Sequence, residues 1–315
     1  MAAGFARVAI FDFTWEGLYS GTRQTALGSA DMAGAQGPSA LLLNAAPLPS
    51  DSTAELEYGR AQLMSTTDLG VLGFAAHWQG LRVGYCRHEL MMDPQLVRTA
   101  YNPEGTGETF DVTEVIDVLG VSYDLGRFIE SDGRLSWTVG GAVRRYFGSF
   151  DGFDHSHNTQ DLGTSAAWRS NYSRGWFRLK GGVSSMNRTG KTFTFDDRES
   201  YLPKSTRYGL TAESALMTRD TAREMLRLLV AYGKTEHDDY YRPFEDHFGV
   251  EVVALNILAL RGGRNSRFDG PHSWGAGLTL DRPFMGPAVL HLDYGRYDNG
   301  IVWTEMWSLR GEFNF

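Results

Sequence analysis

The fold class predicted is all-β: a transmembrane antiparallel β-barrel of about 14 strands, with an N-terminal segment carrying a short helix in its lumen. Three observations predict it. The first is the stretch Ile301–Phe315, where Trp307, Leu309, Gly311, Phe313 and Phe315 alternate with Ser308, Arg310, Glu312 and Asn314. A period of two sends successive side chains to opposite faces of a strand, so one face is apolar and the other wet. The second is that similar alternating segments, divided by turn signals, recur from about residue 53 onward. The third is that the connections between them sort by length when strands are counted back from Phe315.

The composition fits such a barrel and removes other classes. A hydrophobic fraction of 42% is too low for a bundle of membrane helices. The longest apolar run, Val250–Leu260, is broken by Glu251 and Asn256 and falls short of the ~20 residues a spanning helix needs. A barrel strand alternates instead, so its mean hydropathy stays modest. The net charge of −8 opposes a nucleic-acid partner, which needs a basic face. A single cysteine, Cys86, excludes an internal disulfide and reads as a small strand residue. Met1–Ile10 holds one basic residue, Arg7, and lacks an apolar core or a small-residue cleavage site. It is read as the start of a mature chain behind a start Met, not as a signal peptide.

Two regions follow: a plug over residues 1–50 and a barrel over 51–315. In the first, Arg7–Phe13 has room for a brief strand, and Gly21–Ala30 is small and glycine-punctuated. Pro38 at a first helical position and Pro47 as a stop bracket a short apolar helix of about two turns. Such a helix is too short to span a membrane and too apolar to lie free, so it is expected to pack inside something.

The barrel strands are expected near 53–64, 67–78, 80–89, 115–126, 134–147, 160–171 and 174–187. Seven more are expected near 204–217, 224–235, 246–254, 257–266, 273–282, 287–297 and 301–315. Thr221–Leu229 leaves room for a turn of helix. If the end of the last strand faces the periplasm, the connections on that side are 79, 127–133, 172–173, 218–223, 255–256 and 283–286. The opposite side holds 90–114, 148–159, 188–203 and 236–245, the four longest, beside 65–66, 267–272 and 298–300. Short periplasmic turns and longer external loops are what outer-membrane barrels show, and a soluble sandwich gives no reason for that sorting. Trp78, Tyr123, Tyr146, Phe147, Trp168, Tyr172, Trp176, Tyr232, Trp274, Tyr294, Tyr297 and Trp303 near strand ends are candidates for interfacial girdles.

Chemistry-bearing patterns are sparse. Asp151, Asp154, His155 and His157 have the spacing of metal ligands but sit in an expected outer loop with no further ligand cluster fixed nearby, so no metal is expected. Glu236–Asp239 and Glu245–His247 read as solvated acidic tips or as groups bridged by divalent ions to lipopolysaccharide. There is no Gly-x-Ser-x-Gly elbow, phosphate loop or dinucleotide fingerprint. The chain is expected to be no enzyme and to need no cofactor.

The stretch Gly21-x-Arg23-x-x-Ala26-Leu27-Gly28-x-Ala30, followed by Pro38-Ser39-Ala40-Leu41-x-x-Asn44-Ala45-Ala46-x-Leu48, resembles the N-terminal signature of the FadL-like superfamily. That group includes long-chain fatty-acid transporters and the PorV/PorQ-type barrels of a bacterial secretion system. Ala45 stands where the family usually has Pro, and Pro47 where Gly is common. Phe248–Val252 with Leu258–Gly262 resembles a strand pair of the PorV-type branch. The resemblance implies an outer-membrane barrel of 14 strands whose N-terminal hatch blocks the lumen. Arg23, Gly28, Ser39, Leu42 and Asn44 are then the hatch candidates, with Asn44 either tied to lumen groups or simply ending its helix.

A hydrophobic ligand with a charged head would meet lumen-facing cations, for which Arg82, Arg144, Arg178, Lys180 and Arg310 are the candidates. The plainer reading is that such cations match lumen acids: Glu55, Glu57, Glu213, Glu251, Asp293 and Glu312. Two functions stay open: passive transport of a hydrophobic small molecule, or a scaffold barrel that binds protein partners of a secretion or envelope complex. Outer-membrane lipid and lipopolysaccharide are expected neighbours in either case. Phe313 and Phe315 are implied to form the assembly signal.

Overall fold

In the computed structural model the described residues are 18–64, 67–98, 101–129, 134–150, 153–189, 192–195, 198–201, 204–218, 223–238, 244–266, 272–280, 287–298 and 303–315. Fourteen strands close into one antiparallel barrel. They are β1 Ala54–Met64, β2 Thr67–Trp78, β3 Leu81–Met92, β4 Val112–Asp124, β5 Leu135–Phe150, β6 Phe153–Tyr172 and β7 Gly175–Met186. The circuit continues with β8 Ser205–Met217, β9 Glu224–His237, β10 Phe244–Ala254, β11 Leu258–Asn265, β12 His272–Leu280, β13 Ala288–Asp298 and β14 Trp303–Phe313. Each strand pairs with its chain neighbours, and β1 pairs with β14, from Ala54 opposite Phe313 to Gln62 opposite Glu305. Closure leaves no strand edge unpaired, the condition a sheet must meet in lipid.

The alternation sets which face is which. Leu56, Tyr58, Leu72, Phe74, Leu210, Leu260, Trp307 and Leu309 point outward and are exposed, while Glu55, Glu57, Arg144, Glu251 and Arg310 point inward and are buried. An outward apolar band around a polar interior is the pattern of a membrane-spanning barrel. No helix among the described residues is long and apolar enough to cross a membrane. Toward the long-loop end the outward face becomes charged and paired: Arg60 with Asp68, Arg87 with Glu89 at 3.4 Å and Arg296 with Glu305 at 2.8 Å.

Strands meet their expected windows to within a few residues, with one clear exception. Of the stretch 148–159, expected as an outer loop, residues 148–150 belong to β5 and 153–159 to β6, which pair as far as Phe150 opposite Phe153. The hairpin rises past the apolar band, so both of its faces are polar and the hydrophobic alternation that marks a strand vanishes. His155 and His157 therefore lie on a strand, their rings 6.2 Å apart, and Asp151 falls outside the described residues. No group of three metal-ligating side chains gathers among the described residues.

Connections 93–111 and 187–204 leave from the same end. They carry small hairpins, Gln95–Leu96 with Thr109–Phe110 and Thr192–Phe195 with Arg198–Tyr201. At the other end Gln79 and Gly80, both at positive φ, make a tight turn between β2 and β3. Gly126–Ile129 forms one helical turn there.

Other expectations need correction. Residues 224–229 are strand, not helix. Tyr146, Trp176 and Tyr297 belong to no girdle, because parity turns them inward and they are buried. Trp78, Trp168, Tyr172, Tyr232, Trp274, Tyr294 and Trp303 do face outward and are exposed. The expected strand at Arg7–Phe13 lies outside the described residues, as do connections 65–66 and 283–286.

Candidate functional site in the barrel lumen

Residues 19–47 are buried almost throughout and lie against the inner wall. The segment contains one short helix, α1 (Thr22–Ala26), and a single 3-10 turn, Pro38–Leu42. The two-turn helix expected from Pro38 to Pro47 is thus shorter than its apolar run implied. After Leu42 the backbone is held by the wall instead. A segment with this little regular structure leaves many backbone groups to satisfy, and in a buried setting each needs a partner.

The barrel supplies them from its inward side chains. Glu57 accepts from the Ser39 amide at 3.0 Å and from its hydroxyl at 2.9 Å, capping the 3-10 turn. The Arg82 guanidinium donates to the Gly37 carbonyl at 2.7 Å. Arg207 donates to the Leu42 carbonyl at 3.0 Å, and Arg144 reaches the Leu41 carbonyl at 3.5 Å. Asn44 Nδ2 donates to Ser165 Oγ on β6 at 2.7 Å, while its Oδ1 accepts from the Ala46 amide at 2.9 Å. Arg310 donates to the Gln36 side chain at 3.3 Å.

An ionic chain ties α1 to four strands. Arg23 grips Glu251 of β10 with two donors, at 3.1 and 3.0 Å, and Asp31 with a third at 3.1 Å. Glu251 also accepts from Arg261 of β11 at 2.5 Å, and Arg261 continues to Asp293 of β13 at 2.5 Å. Asp31 accepts from Thr211 of β8 at 2.7 Å. Burial works against the charge on Arg23, but the Glu251 and Asp31 carboxylates outweigh it and hold the guanidinium protonated beyond its ordinary range.

The close seat has a feature that periodicity alone did not reveal. Each of β1–β13 brings one inward glycine against the segment, beginning with Gly59 beneath Tyr19 and ending with Gly295 beneath Ala26. A Cβ on Gly140 would stand 2.6 Å from the Ala45 carbonyl oxygen, and one on Gly249 2.5 Å from that of Leu27. Gly263 meets the Gly28 amide, and Gly28 itself, at φ 64°, would put a Cβ 2.7 Å from the Arg264 backbone. β14 has Ser308 opposite Gly59. A belt without side chains lets the segment press on the wall around nearly the whole circumference, backbone against backbone at Gly140, Gly163, Gly209, Gly233, Gly249 and Gly263 and through side chains elsewhere. Of the three glycine pairs in the sequence, Gly140–Gly141, Gly181–Gly182 and Gly262–Gly263, it is Gly140, Gly182 and Gly263 that face this segment. Gly262 faces outward with nothing near it.

The lumen cations expected to meet a ligand head lie on the inward face, and four are engaged with partners. Arg82 is 3.6 Å from Glu55, Arg144 2.9 Å from Asp161, Lys180 2.6 Å from Glu213, and Arg310 3.2 Å from Glu312. Arg178 differs: its guanidinium lies over the Trp176 ring at 5.4 Å. Leu42 is buried within the segment. Phe313 is in the wall, and Phe315 follows it with the two rings parallel at 6.4 Å.

On the lipid face Ala166, Gly181 and Ala212 leave a shallow apolar depression between Trp168, Leu179, Leu210 and Tyr232. The strand ladders behind it are unbroken.

No family model and no curated protein matches the chain. Solved structures share its fold. The Pseudomonas putida toluene transporter TodX superposes with a TM-score of 0.52 at 10% identity, covering 93% of this chain and 97% of that one. The Ralstonia pickettii toluene transporter TbuX gives 0.51 at 10% identity, covering 96% and 100%. A Pseudomonas aeruginosa FadL homologue gives 0.50 at 10% identity, covering 94% and 98%. At this identity the likeness is one of fold: a 14-stranded barrel similar to outer-membrane transporters of the FadL type.

Proposed function

We propose that the chain is a bacterial outer-membrane barrel through which a hydrophobic small molecule passes passively when the N-terminal segment, acting as a hatch, gives way. The observation that carries this reading is how the lumen is closed. Residues 19–47 fill it, held by ion pairs and hydrogen bonds that a competing polar group or water can replace one at a time. The shared fold with two proteins described as toluene transporters supports it. In this reading Arg23, Ser39 and Asn44 latch the hatch, Gly28 and Leu42 seat it, and Arg82, Arg144, Lys180 and Arg310 anchor it while closed. These cations would meet a ligand head only after release. The paired outward charges near Arg60, Arg87 and Arg296 would stand among lipopolysaccharide head groups, which divalent ions bridge.

A second reading, a non-transporting scaffold for secretion or envelope partners, is favoured by the glycine belt, since close approaches at thirteen glycines suit a plug that stays in place. Uptake separates the two. Bacteria expressing the chain should take up labelled toluene or a labelled long-chain carboxylate several-fold faster than cells without it. Unchanged uptake together with a stoichiometric copurifying protein would leave the scaffold.

A further inference from the structure

At the short-turn end of the barrel, beneath the Leu48–Asp51 stretch, lies a cavity of about 430 Å³ into which Arg127, Arg134, Arg169 and Arg178 converge, with Asp51 and Asp124 as the acids lining it among the described residues. Arg169 of β6 and Arg178 of β7 stand directly opposite each other in register. Like charges at such a pair repel and weaken a sheet. Neither arginine has a described carboxylate within ion-pair distance across this register, although Glu213 lies close enough to feel the charge of Arg178. Glu213, opposite Arg178 on β8, gives its carboxylate to Lys180 at 2.6 Å. Asp124 spends its oxygens on the Gly126 and Trp137 amides, at 2.9 and 3.0 Å, and on Ser136.

The pair is held by an aromatic ring instead. Both guanidinium groups lie over Trp176, at 4.8 Å for Arg169 and 5.4 Å for Arg178. The ring is fixed in turn by its Nε1 donating to Glu224 at 3.0 Å. Stacking occupies the face of a guanidinium and leaves its edge donors directed elsewhere. Arg169 spends one donor on Asn171 at 3.3 Å. Two planar forks, pre-oriented at a cavity wall whose described lining residues carry a surplus of two positive charges, match an oxyanion with two negative charges. The cavity falls in the size range of small-molecule pockets, so a body attached to the anion has room.

We propose that this cavity is a binding site for a phosphate monoester at the short-turn mouth of the barrel, with Arg169 and Arg178 gripping the phosphate. The site is distinct from the hatch contacts, and it stands whether or not a hydrophobic molecule crosses the lumen.

Binding is read on the full chain in a non-ionic detergent, with no transport step, from 31P line broadening of glycerol phosphate. The wild-type chain should broaden the signal, and sulfate should reverse the broadening while acetate at the same concentration does not. An Arg169→Gln/Arg178→Gln double variant that keeps the heat-modifiable gel migration of a folded barrel should bind at least tenfold more weakly. Arg87→Gln, on the outward face, should bind as the wild type does. Should the double variant fail to fold, Arg178→Gln alone is expected to weaken binding several-fold. No broadening with the wild type, equal competition by acetate, or unchanged binding in a folded double variant would each overturn the proposal.

Discussion

Arg23 concentrates the problem of holding a polar plug in a barrel. It is buried between Glu251 and Asp31, so its removal would leave Asp31 with only the Thr211 hydroxyl and Glu251 with only Arg261, both away from water. Breaking a buried pair from one side costs about 3–5 kcal/mol, far more than the pair contributes net. Arg23→Met is therefore expected to leave the barrel folded, by heat-modifiable migration, while the segment becomes open to protease. Adding Glu251→Gln should recover part of the loss, because residues of one ionic chain do not act additively. The glycine belt gives a second test at this scale. Gly263→Ala places a methyl group against the Gly28 backbone and should cost about 1–3 kcal/mol by overpacking. Gly262→Ala, its chain neighbour, meets nothing and should stay within about 0.5 kcal/mol of the wild type. Thermal midpoints of gel migration for the two variants read the difference. Equal midpoints would mean that the belt is not a seat.

At the level of elements, the sequence made the strands legible where they cross the apolar band and obscured them elsewhere. Leu135, Trp137, Val139 and Val143 alternate with Ser136, Thr138 and Arg144, and β5 was plain from that pattern. Its continuation with β6 was not, because Ser156, Asn158 and Gln160 face outward above the band and are as polar as the inward His155, His157 and Thr159. α1, with five residues, is too short for a helical period to show. Parity, applied strictly, would have found that Tyr146 and Trp176 face inward. The glycine belt required the register of all strands at once. The last strand makes its own prediction. Phe315 follows the final ladder pair and is exposed, its amide 3.4 Å from the Thr53 hydroxyl, so its removal subtracts little from the closed wall. If Phe313 and Phe315 act as an assembly signal, deleting Phe315 should lower the inserted yield without lowering the thermal midpoint of the molecules that insert. A parallel fall in both would make Phe315 a wall residue only.

For the whole molecule the question is what remains when the segment is taken away. The wall is closed by strand ladders that do not involve residues 18–50, since β1 begins at Ala54 and pairs with β14 directly. A barrel of 14 strands has a lumen too wide for its own side chains to fill. Here the inward charges are arranged for a partner that fills it: Glu57 for Ser39, Arg82 for Gly37, Glu251 for Arg23. Without the segment these groups would be hydrated, and water would follow them through. A chain lacking residues 1–50 is therefore expected to insert and to conduct ions steadily in a planar bilayer, while the complete chain stays closed. Single-channel recordings of the truncated and untruncated chains measure the difference directly. A truncated chain that inserts but does not conduct would show that the wall collapses onto itself, and that the segment serves as the core of the barrel instead of its hatch.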